Sequence, residues 1–313
     1  MQIIDLTTER IQAVQQIAIK SWHKTYPELI PETIRTNFLN YAYSEKQLQT
    51  RLTNSPFYVA ILNGAVVGFA NFSKLNAQHT TELQAIYVDP NYEQQGIGNQ
   101  LLQYAIQTLK PTNILVNVEA GNEIGWHFYN AKGFKEVARF VEHFDGHQLQ
   151  TIRMQLQPVY ISKISNSEQI VRVIHAAFAR YKDDPMPSSA IYETTDTIDH
   201  NLRDGILIYG ATTQEQLVGV VKVKKKEDQL YFSRLAVVPS MQGQGIATKL
   251  IQHIEQVARN CNIASVTCDV RSSETDNIRL YQKLGYHITK QEMTTSPLGY
   301  VMEVVTMGKQ ITY

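Results

Sequence analysis

Two glycine-containing segments have the residue types that bind a phosphate group through the protein backbone. Gly96-Ile97-Gly98 follows a strand-like segment that ends at Pro90, and Gly245-Ile246-Ala247 follows a second one that ends at Pro239. Each leads into apolar residues at helical spacing, so unpaired N–H groups and the positive end of a helix dipole would face a ligand. Small residues there let a diphosphate approach the backbone. One such loop would indicate only a turn, but two copies favour anion binding.

The residues around these loops weigh against two common kinds of phosphate site. A nucleoside triphosphate loop ends in Gly-Lys followed by Ser or Thr, and neither loop does so. A dinucleotide fingerprint needs a third small residue, but Leu101 and Leu250 occupy that place. Neither phosphoryl transfer nor hydride transfer is therefore favoured.

The loops belong to a longer repeat. Pro90 and Pro239 lie 149 residues apart, and Tyr129 and Tyr281, each shortly before another glycine, lie 152 residues apart. Two signals in the same order indicate duplicated domains, which also explains a length of 313 residues, about twice that of a usual domain. We place the boundary near Gln157-Pro158, so the predicted domains are residues 1–157 and 158–313.

Hydrophobic periodicity predicts the same order of strands and helices in both halves. Alternating apolar residues predict strands, and Asn63-Gly64 and Asp145-Gly146 lie where tight hairpin turns would join them. Apolar residues at helical spacing follow Gly98 and Ala247, and another strand precedes each tyrosine-containing segment. Each half is therefore predicted to be an α/β domain with a mixed, largely antiparallel sheet flanked by helices.

Charge and hydropathy narrow the class of protein. Basic and acidic residues are equal in number, 29 of each, which weighs against a nucleic-acid partner. Lys222 and Lys224 to Lys226 lie at a predicted hairpin and are expected to be a solvated tip. No apolar segment is long enough to cross a bilayer, and the first residues lack the basic start of a signal peptide. We therefore expect a cytoplasmic protein with no membrane partner.

The two cysteines, Cys261 and Cys268, are too few for a disulfide framework or a metal cluster. They are expected to be buried thiols. His127 and His143 have no partners at metal-ligand spacing, so we assign no metal.

The phosphate loops resemble those of the GNAT acyltransferase superfamily, whose pattern is Gln or Arg, two residues, Gly, one residue, and then Gly or Ala. Gln242 to Ala247 matches this pattern throughout, whereas Glu93 replaces the first residue of the other loop. Asn122, seven residues before Tyr129, also resembles the family, but Glu274 takes its place in the second half. The resemblance covers nearly the whole chain as two consecutive domains.

The resemblance implies transfer of an acetyl group from acetyl-CoA to an amine. It places the backbone of one splayed strand along the pantetheine arm, where an N–H group also stabilises the tetrahedral oxyanion. The residues assigned to acetyl-CoA are Ile86, Tyr87, Val88, Gly96, Ile97, Gly98 and Asn122 in the first domain, and Leu235, Ala236, Val237, Gln242, Gly243, Gly245, Ile246 and Ala247 in the second.

Three side chains are candidates for moving protons. An amine attacks only when it is neutral, so a base must first take its proton, and Glu82 is the candidate. A solvated carboxylate at a strand end is an equally good interpretation of Glu82, and Tyr231, the aligned residue in the second domain, is a poorer base. The resemblance assigns Tyr129 and Tyr281 as acids for the departing thiolate, although packing against the sheet is the alternative role.

The end of the first predicted helix resembles the acceptor site of acetyltransferases that act on polyamines and small amines. It contains Trp22, His23, Tyr26 and Pro27. Aromatic and carboxylate walls attract a cationic amine. Helix packing is the alternative explanation of Trp22 and Tyr26.

Two functions remain open. The first is an acetyl-CoA-dependent N-acetyltransferase that acts by direct attack of a small amine or polyamine. The alternative is a non-catalytic acyl-CoA-binding tandem module, which would keep the same phosphate loops. Glu93 would repel a diphosphate, whereas the second domain lacks the matching carboxylate and asparagine, so we expect unequal domains with most acetylation in the first. No feature of the sequence indicates an oligomeric state.

Overall fold

The computed structural model describes residues 1–312, which form two compact units. The first is Met1–Pro158, and the second begins at Val159. Each unit has its own hydrophobic core and its own seven-stranded sheet flanked by helices. The predicted fold class, two consecutive α/β domains with mixed and largely antiparallel sheets, is confirmed.

Seven strands form the sheet of the first unit. They are β1 (Gln2–Asp5), β2 (Phe57–Leu62), β3 (Ala65–Phe72), β4 (Thr80–Val88), β5 (Asn113–Glu119), β6 (Lys135–Phe144) and β7 (His147–Leu156). Their order across the sheet is β1-β2-β3-β4-β5-β7-β6, with β4 and β5 parallel. Both predicted hairpin turns are present, because Asn63-Gly64 and Asp145-Gly146 have positive φ angles.

Five α-helices flank this sheet. They are α1 (Ile11–Thr25), α2 (Glu32–Ala42), α3 (Glu45–Asn54), α4 (Ile97–Leu109) and α5 (Glu123–Ala131). Helix α1 buries Val14, Ile17 and Ala18, which pack with aromatic residues of α2 and β3 in one core. Helix α4 buries Leu101 and Leu102 at helical spacing, as its periodicity predicts.

The two parallel strands of the first unit separate part-way along their length. Strand β4 pairs with β5 only over Thr80 to Glu82, opposite Asn113 to Leu115. Beyond that point β4 continues to Val88 beside β3, and β5 continues to Glu119 beside β7. An extra residue, Gln84, interrupts the pairing of β4 with β3, and a bulge of this kind bends a strand. The edges that face each other across the gap therefore offer backbone N–H and C=O groups to a ligand.

The second unit repeats this architecture. Its elements are β8 (Tyr160–Lys163), α6 (Ser167–Phe178), α7 (Thr195–Arg203), β9 (Leu207–Thr213), β10 (Gln216–Lys226), β11 (Gln229–Val237), α8 (Ile246–Asn260), β12 (Ser265–Arg271), α9 (Thr275–Lys283), β13 (His287–Thr295) and β14 (Val301–Gln310). The strand order is β13-β14-β12-β11-β10-β9-β8.

The parallel strands of the second unit also separate. Strand β11 pairs with β12 from Gln229 to Phe232, opposite Ser265 to Cys268, and not beyond. Arg234 lies just past this point and has a φ of +51°, in the left-handed region where a residue with a side chain is rare. The pairing of β10 with β11 shifts register next to it. The backbone segment Leu235 to Val237 therefore has the same free edge as its counterpart in β4.

Composition led to expectations about the cysteines, about membrane-spanning helices and about metal ligands. Cys268 is buried, but Cys261 follows the end of α8 and is exposed, so the prediction of two buried thiols was wrong for Cys261. No helix within residues 1–312 is both long and apolar enough to cross a bilayer. The same residues contain no group of three or more His, Cys, Asp or Glu side chains arranged to hold a metal ion.

Candidate active site

A cavity of about 950 Å³ lies in the first unit where β4 and β5 separate. Both strands, the loop before α4, α5 and the end of α1 contribute to its walls. Glu82, Tyr129, Asn122, the segment Ile86 to Val88 and the segment Gly96 to Gly98 all line it. The fold therefore brings together every residue that the sequence predicted for catalysis or for acetyl-CoA binding in the first site.

The glycine loop places backbone N–H groups at the start of α4. Gly96 has a φ of +76° and directly precedes Ile97, the first helical residue. A Cβ at Gly96 would meet no atom within 4 Å, so the space beside this backbone is open. Gly98 has a different role, because a Cβ there would come within 3.2 Å of the Phe128 ring on α5. Gly96 therefore provides the turn, and Gly98 lets α4 approach α5.

Glu93, the residue that departs from the loop pattern, forms an ion pair with Lys24 at the end of α1. Both side chains are partly exposed, so the pair adds little to stability. Its effect is electrostatic, since a carboxylate expected to repel a diphosphate has a cation beside it. Lys24 thus reduces the repulsion that the sequence alone predicted.

Tyr129 lies on α5 with its side chain packed among aromatic rings. The residue is 8% exposed, and its ring packs edge-on against Phe128 and Phe134. Burial, together with the nearby carboxylate of Glu119, raises the pKa of Tyr129 far above that of a free phenol. The hydroxyl therefore keeps its proton at neutral pH, as a proton donor must. The packing role that we considered is present as well, and the two roles are compatible.

Glu82 lies on β4 at the point where the strands separate. It is half-buried and lines the cavity, and within residues 1–312 its carboxylate has no hydrogen bond or ion pair. Its Cα is paired with that of Leu115 on β5. Paired residues project to the same face of a sheet, so Glu82 shares a face with Leu115 and, at intervals of two residues, with Asn117 and Glu119.

Glu119 is a second carboxylate of this site, and the sequence analysis missed it. The Tyr26 hydroxyl donates a hydrogen bond to Oε2 of Glu119 at 3.0 Å, and Nδ2 of Asn122 donates to the same hydroxyl at 3.2 Å. Asn122 also caps α5, where its Oδ1 accepts a hydrogen bond from the N–H of Gly125 at 2.8 Å. Strict alternation along β5, which points Glu119 to the same face as Asn117, is the signal that would have identified it.

Trp22 and Tyr26, at the end of α1, are buried and line the cavity as the resemblance implied. His23 and Pro27 are exposed and do not line it. Helical spacing explains the difference, because Trp22 and Tyr26 lie four residues apart on one face. Each of the two side chains packs in the core and also lines the cavity, so their part in an acceptor site stays a prediction.

Aromatic rings form another part of the cavity wall. The indole N–H of Trp22 donates to the Tyr87 hydroxyl at 3.0 Å, and the Trp22 ring stacks on Phe38 with centroids 4.4 Å apart. Phe144 of β6 lies 5.0 Å from Phe38. The electron-rich faces of such rings attract cations.

Three carboxylates, from Glu82, Glu119 and Glu142, line the cavity without forming an ion pair to any of residues 1–312. Two cationic side chains that also line it lie against aromatic rings. Arg51 lies 5.0 Å from the centroid of Tyr43, and Lys132 lies 5.7 Å from that of Phe128. The cavity wall is therefore rich in aromatic rings and carries three carboxylates without a cationic partner.

The phosphate loop of the second unit has the same geometry. Gly243 and Gly245 have φ angles of +74° and +75°, and α8 begins at Ile246. A Cβ at either glycine would meet no atom within 4 Å. Nε2 of Gln242 donates to the backbone carbonyl of Val237 at 3.0 Å. The side chain of Gln242 thus braces the end of β11, and the open glycines provide the space for a ligand.

Tyr281 is placed on α9 as Tyr129 is on α5. It is 7% exposed, and burial, with smaller effects from Cys268 and Glu274, raises its pKa far above that of a free phenol. The residue before this helix differs, because Glu274 forms no side-chain cap and instead pairs with Arg180 at 3.2 Å. The second unit therefore keeps a protonated tyrosine but loses the network around Asn122.

Arg271 occupies the position in the second unit that Glu119 occupies in the first. Each is the last residue of its strand and lies three residues before the residue that precedes the next helix. The Arg271 guanidinium donates to the carbonyl oxygens of Met186 at 2.6 Å and Pro187 at 3.1 Å. The charge at this position is thus reversed, and it holds a loop in place.

The sequence predicts that Lys222 belongs to a solvated tip, but this prediction was wrong. It is 4% exposed, and its Nζ contacts Oε2 of Glu193 at 2.8 Å and Oδ1 of Asn201 at 3.0 Å. Arg234 binds the other oxygen of Glu193 at 2.8 Å. Only Lys224 to Lys226 are exposed as predicted. Strand β10 runs further than expected, and alternation turns Lys222 into the unit.

Comparison with known proteins identifies one family and several relatives. The model of the acetyltransferase (GNAT) family matches residues 12–134 and 171–286. A spermidine N(1)-acetyltransferase of Thermoplasma acidophilum is 27% identical over 155 residues, which are 47% of this chain and 92% of that protein. The peptidyl-lysine N-acetyltransferase YjaB of Salmonella typhimurium is 33% identical over 107 residues, 33% of this chain and 68% of that protein.

The comparison with solved structures finds a partial match. The PaiA N-acetyltransferase of Thermoplasma acidophilum, crystallised in complex with coenzyme A, is 24% identical with a TM-score of 0.43. The match covers 50% of this chain and 98% of that chain.

Proposed function

Because the chain belongs to the GNAT acetyltransferase family and is an acetyl-CoA-dependent acyltransferase, we propose that its first unit acetylates a small amine with more than one positive charge. Transfer of acetyl groups to amines is the activity of the family. The class of amine and the roles of individual residues are what we add.

The observation that carries the proposal is the charge of the cavity. Three carboxylates without a cationic partner line the same cavity as a cluster of aromatic rings. Partial burial removes water from around a carboxylate, and a bound cation stabilises the charge in place of that water. Aromatic faces attract the same cation. A polyamine supplies several ammonium groups on a thin apolar chain, which matches both the carboxylates and the rings. The similarity to a spermidine acetyltransferase supports the same class of acceptor.

The residues around the gap account for the proton transfers of the reaction. Acetyl-CoA supplies an acetyl group activated as a thioester. Glu82 takes the proton of the ammonium group, and the neutral nitrogen attacks the thioester carbonyl to form the C–N bond. Free N–H groups of β4 stabilise the oxyanion. As the C–S bond breaks, Tyr129 donates its proton to the thiolate. The cationic nitrogen of the intermediate loses its second proton to solvent, Tyr129 regains one from solvent, and Glu82 later releases its own.

The test is acetyl-CoA turnover by the full chain across an amine panel, measured as release of free thiol. The panel contains spermidine, short diamines, the matching monoamines and a lysine-containing peptide. We expect the highest kcat/KM with amines that carry two or more charges. A preference for the peptide or for monoamines would contradict the proposal.

We propose that the second unit binds acetyl-CoA but does not acetylate a cationic amine. Its glycine loop and free strand edge support binding. Tyr231 takes the place of the candidate base, and Arg271 replaces the carboxylate at the end of the strand. A fixed guanidinium repels an ammonium group.

A further inference from the structure

Resting on the proposed acetylation of a cationic amine, we infer that Glu119 binds a second ammonium group of the acceptor, so that the first unit selects diamines and longer polyamines over monoamines. Glu82 then acts on the amine that reacts, and Glu119 holds the amine that does not. Tyr26 is a positioning residue for Glu119.

The hydrogen bonds of Glu119 leave one oxygen for a ligand. Oε2 accepts from the Tyr26 hydroxyl at 3.0 Å, and within residues 1–312 no group is bonded to Oε1. Tyr26 is in turn fixed by Asn122, whose own carbonyl oxygen caps α5. The carboxylate is therefore held in one orientation before a ligand arrives, which lowers the entropy lost on binding.

Burial near Glu119 strengthens an interaction with a cation. Tyr26 is 4% exposed, and burial, with the charge of Glu119, raises the pKa of its hydroxyl well above the usual value. The hydroxyl therefore stays protonated and remains a donor. Glu142, the other carboxylate on this side, is exposed and is screened by solvent, so it is the weaker partner for an ammonium group.

The spacing along β5 matches a diamine. Glu82 is level with Leu115, and Glu119 lies four residues further along the same strand. At about 3.3 Å per residue along β5 and about 4.8 Å between paired strands, the Cα atoms of the two glutamates lie about 14 Å apart, and their side chains project from the same face. Two charge-assisted hydrogen bonds of about 2.8 Å leave roughly 8 Å between the nitrogens, which is close to the span of a six-carbon diamine.

The second unit shows that this position varies in charge while the fold is kept. Arg271 stands at the end of β12, where Glu119 stands at the end of β5. Its guanidinium is occupied by two backbone carbonyls. The fold therefore does not require a carboxylate at the end of this strand. The residue at this position can instead determine which charge the acceptor carries.

The experiment compares 1,6-diaminohexane with hexylamine, which have the same length and differ by one ammonium group. The full chain is assayed as wild type and as Glu119→Gln, which keeps an acceptor for the Tyr26 hydroxyl. We expect the KM for the diamine to rise about 10- to 100-fold, the size of one charge-assisted hydrogen bond, with kcat little changed. The KM for hexylamine should change less than about twofold.

Control variants separate binding from folding. Glu136→Gln removes an exposed carboxylate of β6 outside the cavity and should alter neither KM. Glu119→Asp should restore part of the preference for the diamine. Tyr26→Phe should raise the KM for the diamine by a smaller factor, because the carboxylate remains but is less well oriented.

The outcomes that would overturn the inference are distinct. An equal rise in KM for both amines, or a fall in kcat for both, would place Glu119 at the reacting nitrogen. If the wild type acetylates no amine, the proposed function fails instead. In that case calorimetry of 1,6-diaminohexane binding in the presence of CoA still decides, because weaker binding by Glu119→Gln supports the inference and equal binding refutes it.

Discussion

Single side chains determine the electrostatics of each unit. Glu119 and Arg271 occupy equivalent positions with opposite charge, and Lys24 neutralises the carboxylate of Glu93. Tyr129 and Tyr281 are both buried, and both keep their protons at neutral pH. A buried, protonated tyrosine is therefore common to the two units, and the charge at the end of β5 and β12 is what distinguishes them.

The role of the acid is tested by Tyr129→Phe in the full chain. Phenylalanine keeps the ring packed against Phe128 and Phe134 but removes the proton. We expect kcat to fall by about 10²- to 10⁴-fold with little change in CoA affinity. Tyr281→Phe is the matched control and should retain most of the amine acetylation. Full activity of the Tyr129→Phe enzyme would leave the ring with a packing role only.

A buried ion pair predicts a pH-dependent stability for the second unit. Burial alone would raise the pKa of Glu193, but Lys222 and Arg234 outweigh it, and the net pKa lies below its ordinary value of 4.5. Because the folded pKa is the lower one, this stabilisation is present above the unfolded pKa and is lost as pH falls through the folded pKa. Lys222 is 4% exposed, so the loss of its partner leaves a buried charge.

We expect Glu193→Gln to lower the free energy of unfolding of this unit by about 3–5 kcal/mol at neutral pH. The difference from wild type should shrink in acid, where the wild-type carboxylate is protonated. Urea denaturation of the wild type and the variant, at neutral and at acidic pH, measures the difference in their free energies of unfolding. Glu168→Gln, at an exposed position of α6, should change the stability by about 0.5 kcal/mol or less. A difference that stays constant with pH would contradict the assigned ion pair.

At the scale of elements, the site depends on two strands that separate and on a helix that begins at a glycine turn. Parallel pairing ends at Glu82 in the first unit and at Phe232 in the second. A backbone bulge lies just beyond each of these points. Free peptide groups and the N-terminal ends of α4 and α8 therefore meet at the gap between the parallel strands, a geometry that suits an anionic ligand without any particular side chain.

The glycine turn is tested by Gly245→Glu. Gly245 has a φ of +75° and open space beside it, so a glutamate there brings a charge to the diphosphate position rather than a clash with the protein. We expect calorimetry of CoA binding to the full chain to show two sites in the wild type and one in the variant. Gly205→Glu is the matched control, because Gly205 also has a positive φ of +79° and no neighbour within 4 Å. Two sites of unchanged affinity in Gly245→Glu would remove the second loop from CoA binding.

At the scale of the whole molecule, two copies of one fold have diverged on the acceptor side. The first unit has an acidic and aromatic cavity of about 950 Å³. In the second unit, Arg271 stands where the first unit has Glu119, and its guanidinium is held by two backbone carbonyls. A cationic amine is attracted by the carboxylate and repelled by the guanidinium. We therefore expect amine acetylation to belong to the first unit.

Separate expression tests this division, since each unit has its own core. Residues 1–158 should acetylate the amines that the full chain acetylates, and residues 159–313 should bind CoA without acetylating them. Circular dichroism and thermal unfolding establish that each piece is folded. Acetylation confined to the second piece would show that the carboxylates of the first cavity do not select the acceptor.

Several features follow from the sequence alone because they depend on local patterns. Tight turns such as Asn63-Gly64, the glycines before α4 and α8, and the periodicity of strands and helices are local properties. Duplication is visible because both copies keep these patterns in the same order. Tandem α/β domains with a phosphate loop in each were predictable for that reason, and so were the tyrosines after each loop.

Other features were decided only by the tertiary structure, because they join residues that are far apart in the chain. Glu119 is oriented by Tyr26, and Lys24 reduces the repulsion expected from Glu93, and neither partner is a near neighbour in sequence. The sequence predicts a solvated Lys222. In the structure β10 extends past this residue and Glu193 lies beside its Nζ, so the side chain is buried. Local patterns place a residue on an element, but the charge that it meets depends on which elements pack together.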